Sequence, residues 1–414
     1  MYLPFARLRD RDPLPNGAMV LAIALVLRIA AAFFMPDQRL LDAAVYRRAS
    51  EAAWAIVPSD TLIMPLYPTL VGFFGSGLGQ VIFDVVLSTL MAWIVYELTL
   101  AVFADRAAAR IAGLVTACYP HFIFYAVIGV PDTLFMVLLL GAFIAWYRGA
   151  FVWASLFAVL AILTRPTLDV LAPILVLYFA LVYHRLPQGR AARHLATYAA
   201  VYLALLSPWW LHNYKAYGTF VRLDLGSGLA LYSNNNPRGP AVDSPESDPD
   251  RARFSAITDP VARDRAMWDA GVSYIKQDPG SFAALASRKF LRFWRPWPDA
   301  QAVADRSYFV LSVASFAPVL VLTFVYLRIW GRREIELTAP ILMLVGYFTA
   351  FYVVLDGSPR YRLPLEPFLI ALAAVAFVRI VGRWPDGRLV MDRIAYGGPD
   401  QPPDAREGTP AGRS

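Results

Sequence analysis

This 414-residue chain has one cysteine, Cys118, and four histidines. A disulfide framework needs paired cysteines, and a dense zinc site needs several Cys or His ligands, so neither is supported. Cys118 lies in an apolar run and is expected as a small buried side chain. Lysine is also scarce, found only at Lys215, Lys276 and Lys289. The net charge of +7 is therefore an arginine charge. Positive-inside loops and anionic lipid headgroups explain it better than nucleic acid does. There is no Gly-rich phosphate loop between a strand and a helix, hence no soluble nucleotide-binding domain. No cleavage site follows the first apolar run, which reads as an anchor. No internal repeat of the hydropathy pattern is visible, and many transporters carry one.

Apolar residues are abundant: 58% of the chain is hydrophobic and 17% charged. That is too apolar for an ordinary soluble protein. Runs of roughly 18 or more apolar residues recur, long enough to cross a bilayer as helices. They lack the alternation of a membrane β-barrel. The pattern predicts an all-α polytopic integral membrane protein with about ten transmembrane helices. The spans fall near 18–36, 80–103, 108–126, 129–147, 150–165, 168–184, 195–213, 307–329, 338–355 and 365–382. The stretch 65–75 is too short to cross, is bracketed by Pro and Gly, and reads as re-entrant or interfacial.

Arginines set the orientation. With a cytoplasmic N-terminus, inner segments hold Arg7, Arg9, Arg11, Arg106, Arg110, Arg148, Arg185, Arg190, Arg193, Arg328, Arg332 and Arg333. Outer short loops hold Arg39, Arg47, Arg48, Arg165, Arg360 and Arg362. This bias favours that orientation and makes the long loop 214–306 extracytoplasmic. Four parts follow. Residues 1–213 form a transmembrane module whose first outer loop, 37–79, carries an amphipathic surface helix. Residues 214–306 form a mostly helical outer loop, with Asp278-Pro279-Gly280 breaking one helix in two. Residues 307–383 are C-terminal transmembrane helices, and 384–414 have the composition of a disordered cytoplasmic tail.

Chemistry-bearing residues gather on the outer face. Asp42 opens the surface helix. It is placed either to cap that helix or to accept a proton from an attacking hydroxyl; Asp37 is a weaker rival. Arg165, Arg360 and Arg362 run against the positive-inside trend. They suit a lipid phosphate, or they snorkel to headgroups. Glu366 is placed to pair with one of them. Inside the spans, Arg28 and Asp84 are expected to find partners, either each other or, for Arg28, Glu97. Trp209, Trp210 and Tyr67 fall near interfaces, where an aromatic belt or sugar stacking would use them.

Taken in order, several segments resemble the family 39-like branch of the bacterial GT-C glycosyltransferases. That branch is related to protein O-mannosyltransferases and to the aminoarabinose transferases of lipid A. The segments are Met64-Pro65-Leu66-Tyr67-Pro68, Leu163-Thr164-Arg165-Pro166-Thr167, and Pro208 to Tyr214. Gly228 to Pro237, Tyr274 to Pro296, and Arg360 to Pro367 complete the set. The resemblance implies a GT-C fold and transfer of a sugar from a polyprenyl-phosphate donor, with inversion, on the extracytoplasmic face of a bacterial inner membrane. The acceptor would be a lipid, a glycan or a protein. Asp42 would be the general base, and Arg165, Arg360 and Arg362 the phosphate contacts. Tyr67, His212, Asn213, Asn235, Asn236 and Glu366 would line the cavity for sugar and acceptor. No cofactor is required by this reading, although a divalent cation on Asp or Glu oxygens is compatible with it. Relatives often carry Asp-Glu in the first loop, whereas here Ala43 follows Asp42. Asp132, in Pro131-Asp132-Thr133, stands where relatives often have Glu. The competing classes are a ligase of whole lipid-linked glycans, a phosphoform transferase, a lipid or sugar transporter or flippase, and a non-catalytic assembly factor.

Overall fold

The computed structural model describes residues 15–34, 41–51, 62–236, 251–297 and 306–384, with isolated positions 387, 390, 391 and 394. The expected tail, the stretch after Asn236 and much of the first outer loop, Asp37 included, lie outside the described residues. Among the described residues every regular element is a helix. In chain order they are α1 (Pro15–Phe34), α2 (Leu41–Glu51), α3 (Leu66–Phe74), α4 (Leu78–Phe103), α5 (Arg106–Cys118) and α6 (Pro120–Tyr125). Then come α7 (Asp132–Tyr147), α8 (Phe151–Thr164), α9 (Leu171–Tyr178) and α10 (Gln188–Tyr217). The long loop holds α11 (Ser227–Asn235), α12 (Arg251–Ser255), α13 (Pro260–Gln277) and α14 (Pro279–Trp294). The chain closes with α15 (Arg306–Tyr326), α16 (Ile335–Leu355) and α17 (Glu366–Val381).

Among the described residues, five segments are long and apolar enough to cross a bilayer: Gly17–Phe34, Leu78–Phe103, Tyr308–Gly331, Ile335–Leu355 and Pro359–Val381. Asp132–Tyr147, Phe151–Thr164 and Leu171–Tyr183 are apolar but shorter. Proline accounts for part of the difference from ten full spans. Pro120 splits the 108–126 run into α5 and α6, and Pro166 ends α8. A 16-residue helix such as α7 is about 24 Å long, short of the roughly 30 Å hydrocarbon core. These early stops free the chain to build turns at one end of the bundle, where Asp132, Arg165 and Arg360 meet.

The core lies where α4, α5, α7, α8 and α17 pack together, around Phe135, Phe143, Trp146 and Phe368. Outward-facing positions such as Phe33, Phe73, Val152 and Phe324 stay exposed and apolar, as on helices that face lipid. Loop helices are capped by aspartates followed by proline. Asp259 accepts from the Val261 N–H at 3.0 Å, and Asp278 accepts from the Ser281 N–H at 2.9 Å. Proline tolerates the first helical turn because its missing N–H would have no partner there. Asp278 thus divides α13 from α14.

Two expected pairs are corrected. Arg28 is fully buried yet bonds neither Asp84 nor Glu97. It donates to Ser88 Oγ at 2.7 Å and to the Ala117 and Thr116 carbonyls at 2.8 and 3.3 Å. Those carbonyls end α5, where helix carbonyls lack intrahelical partners and favour a cation. Glu97 instead accepts from Arg148 at 2.6 Å. Cys118, expected to be buried, is exposed beside an apolar groove between α5, α15 and α17.

Candidate functional site

Three breaks in the helices aim charge at one point. Arg165 precedes Pro166, and the pre-proline position disfavours helical torsions. It is extended (φ −147°, ψ 126°), so its side chain leaves the α8 path. Asp132 opens α7 directly after Pro131 and is completely buried. A carboxylate in a first turn is favoured by the helix dipole. Pro359 opens a 3-10 turn, Pro359–Leu365, that delivers Arg360.

Arg165 Nη1 meets Asp132 Oδ1 at 2.5 Å, and Arg360 Nη2 meets Asp132 Oδ2 at 2.9 Å. One carboxylate therefore clamps two guanidiniums, leaving a net charge of +1. A guanidinium has five N–H donors, and each of these bonds uses one nitrogen. Aromatic faces support both cations. Arg165 lies 5.2 Å from the Tyr361 ring centre and Arg360 lies 6.0 Å from that of Tyr125. Tyr361 stacks on Tyr352 at 4.3 Å, and the Tyr352 hydroxyl is 2.7 Å from Thr167 Oγ1. The Leu-Thr-Arg-Pro-Thr turn and the Arg-Tyr-Arg turn are thus one assembly.

Arg362 does not join Asp132. A 3-10 helix turns about 120° per residue, so residues two apart diverge. Arg362 donates to Glu366 Oε1 at 2.8 Å and to the Phe293 and Arg295 carbonyls at 2.7 and 2.8 Å. Its guanidinium also stacks 3.6 Å from the Phe316 ring centre, and it is 2% exposed. It ties the end of α14 to α15 and α17. Glu366, expected in the cavity, is its buried partner.

The other expected residues divide. Tyr67 is buried and donates to Asp84 Oδ2 at 2.8 Å, so its hydroxyl is spent inside the fold. His212 stacks on Trp209 at 5.2 Å. Asn213 donates to the Val221 carbonyl at 3.0 Å, Trp210 to that of Arg222 and Trp209 to that of Leu223, both at 2.8 Å. Trp209, Trp210 and Asn213 therefore pin a non-helical strap, residues 219–226, along α10. Asn235 and Asn236 lie apart, at a cavity in the loop helices. For Asp42, the backbone belongs to α2 and the side chain lies outside the described residues.

Two carboxylates on or against the strap escaped the sequence reading. Asp264 accepts from the Gly226 and Gly228 N–H groups, both at 3.0 Å, and so holds the start of α11. A side chain at Gly228 would collide with the Asp264 carbonyl, which explains the glycine there. Asp224 is pushed up to about 6 by burial and by Asp264, against the pull of Arg165. Among the described residues no three His, Cys, Asp or Glu side chains converge as a metal site.

No family model and no curated protein sequence matches the chain. Solved structures of the Archaeoglobus fulgidus oligosaccharyltransferase do resemble it. The complex with zinc and sulfate aligns with a TM-score of 0.48 at 15% identity, over 93% of this chain and 54% of that one. The form tethered through a disulfide bond to an acceptor peptide containing the NVT sequon aligns with a TM-score of 0.51 at 15% identity, over 92% and 53%. The latter likeness is one of fold, to a GT-C enzyme, and this chain spans about half that enzyme's length.

Proposed function

We propose that this protein is a membrane glycosyltransferase of the GT-C type that moves a sugar from a polyprenyl-phosphate donor to an acceptor hydroxyl on the extracytoplasmic face. The observation that carries the reading is the Arg165–Asp132–Arg360 clamp, a compact cation on aromatic supports. Guanidiniums suit phosphate because they offer forked, permanently charged donors. A second observation supports a lipid-borne donor. An apolar groove of about 440 Å³ runs between α5, α15 and α17, lined by Cys118, Pro318 and Phe377 among others. An isoprenoid chain is the apolar partner such a groove would take.

In the proposed reaction the acceptor oxygen bonds to the anomeric carbon from the face opposite the phosphate. The bond from that carbon to the phosphate oxygen breaks, and polyprenyl phosphate leaves with the electron pair. Configuration inverts. The acceptor proton passes to a carboxylate, which we assign to Asp42 on α2. The arginine clamp stabilises charge that grows on the leaving phosphate, the place where preorganised donors help most. No nucleotide is needed. A divalent cation is an optional addition, tested by transfer before and after EDTA. A bacterial inner membrane is the setting this reading assumes.

The fold likeness to an oligosaccharyltransferase favours one second reading, transfer of a whole lipid-linked glycan. One assay separates them. Purified protein is given radiolabelled polyprenyl-phosphate monosaccharides or lipid-linked oligosaccharides with a membrane extract. Label moving from the monosaccharide donor with wild type, and not with Asp42→Asn, supports the first reading. Label moving only from the oligosaccharide donor replaces it with the second.

A further inference from the structure

The loop helices enclose a cavity of about 820 Å³ between the end of α11, α13, α14 and the end of α16. Its polar lining includes Ser233, Asn235, Arg288, Lys289, Arg292 and Asp356. The charges are not balanced. Asp278, at the rim, is occupied by capping α14, where it accepts from the Ser281 N–H and hydroxyl. Asp356 faces Arg292 at 3.7 Å. Arg288 is exposed and has no ion-pair partner among the described residues.

Lys289 is the unusual group. It is 5% exposed, and its ammonium donates only to neutral oxygens, Asn235 Oδ1 at 2.9 Å and the Val354 carbonyl at 3.0 Å. A buried cation normally has an anion beside it, because desolvation is costly without one. Burial accordingly pushes Lys289 down to about 8, although Asp356 works in the other direction. The fold holds the lysine firmly all the same. A Cβ at Gly357 would come within 2.7 Å of the Lys289 Cβ, so only glycine admits this approach. Nearby, the Ser233 hydroxyl is buried and lacks a hydrogen-bond partner among the described residues. The cavity thus offers a buried cation with no direct ion pair, a second exposed cation and, on its lining, the Ser233 hydroxyl.

Asp356 and Gly357 lead within four residues to Arg360, so one segment borders both this cavity and the arginine clamp. We propose that the cavity is the acceptor site and that it takes a sugar bearing an anion, phosphate or carboxylate, with Lys289 and Arg288 as its counter-charges. The inference rests on the transferase reading above, to which it adds the class of acceptor. The neutral part of the glycan would meet Ser233 and Asn234, and the anion would meet the α14 cations.

The test uses the full chain in detergent, titrated calorimetrically with glucose 6-phosphate, glucuronate and glucose. The expected result is binding of at least one anionic sugar about tenfold or more tighter than glucose, a ratio that converts to roughly 1.4 kcal/mol. The better of the two identifies the anion. Arg288→Ala, an exposed change that leaves the fold intact, should lose most of that preference. Lys289→Gln should lose it too, and wild-type affinity should fall as pH rises from 7 to 9, because the lysine discharges near 8. Equal affinity for glucose, no binding by any of the three, or an unchanged preference in Arg288→Ala would overturn the proposal. Failure of the transferase reading looks different: anionic sugars would still bind, yet label would never leave a polyprenyl donor.

Discussion

At the Asp132 end of the bundle, two arginines and one carboxylate are almost enclosed, whereas at the other end of the same helices Arg185 and Glu336 pair in the open. The exposed pair is 2.9 Å long, with side chains 68% and 57% accessible. Asp132 has no accessible surface at all. Solvated charges gain little from pairing and lose side-chain freedom. Enclosed charges must be compensated, and the bundle invests three helix breaks at Pro131, Pro166 and Pro359 to do so. The fold therefore shapes the charges at the Asp132 end, and leaves Arg185 and Glu336 on a solvated rim.

Asp132→Asn should break the contrast most sharply. It leaves two guanidiniums without their anion, and removing one partner of a buried pair costs about 3–5 kcal/mol. A lower melting temperature in detergent and complete loss of transfer are expected together. Arg360→Ala comes next. One donor at the site of developing charge contributes about 100-fold in rate, and a loss of that size is expected with a smaller fall in melting than for Asp132→Asn, because Arg165 still pairs with the carboxylate. Arg362→Ala should invert the pattern: melting falls because Glu366 is stranded, while transfer per folded molecule stays near wild type. Arg185→Ala should do neither, within about 1 kcal/mol.

A last expectation concerns pH. The Asp224 carboxyl is raised from 3.8 to about 6, so the native state holds its proton more tightly than the unfolded chain does. Its contribution to stability is complete below pH 3.8 and is lost as pH rises to about 6. Asp224→Asn should flatten the fall in melting temperature across that interval. An unchanged slope would mean that the strap does not enclose this carboxylate.

The sequence made the site legible where local chemistry decides it. Arg165 before a proline, and Arg360 against the charge trend, stand out in the sequence, whereas their meeting on Asp132 does not. Arg362 has the same credentials in sequence, and only the turn geometry separates it from Arg360. Helical propensity also predicted the division of the loop at Asp278. Other features depend on contacts between distant segments. Arg28 satisfies itself on α5 carbonyls, which no pairing of charged letters reveals. Lys289 reads as one more basic residue on an amphipathic helix until Asn235 and Val354 are brought beside it. Trp209 and Trp210 suggest an aromatic belt or a sugar platform in sequence, and their indole N–H bonds to the strap, like that of Asn213, emerge only in the fold.

The central claim is that Arg165 and Arg360, held by Asp132, bind the phosphate of a polyprenyl carrier. Equilibrium binding of a polyprenyl phosphate to the protein in lipid nanodiscs tests it directly, comparing wild type, Arg165→Ala, Arg360→Ala and Arg185→Ala. The account predicts that the first two variants bind at least tenfold more weakly while Arg185→Ala matches wild type. Equal affinity in all four proteins would contradict it and leave the clamp as an internal brace.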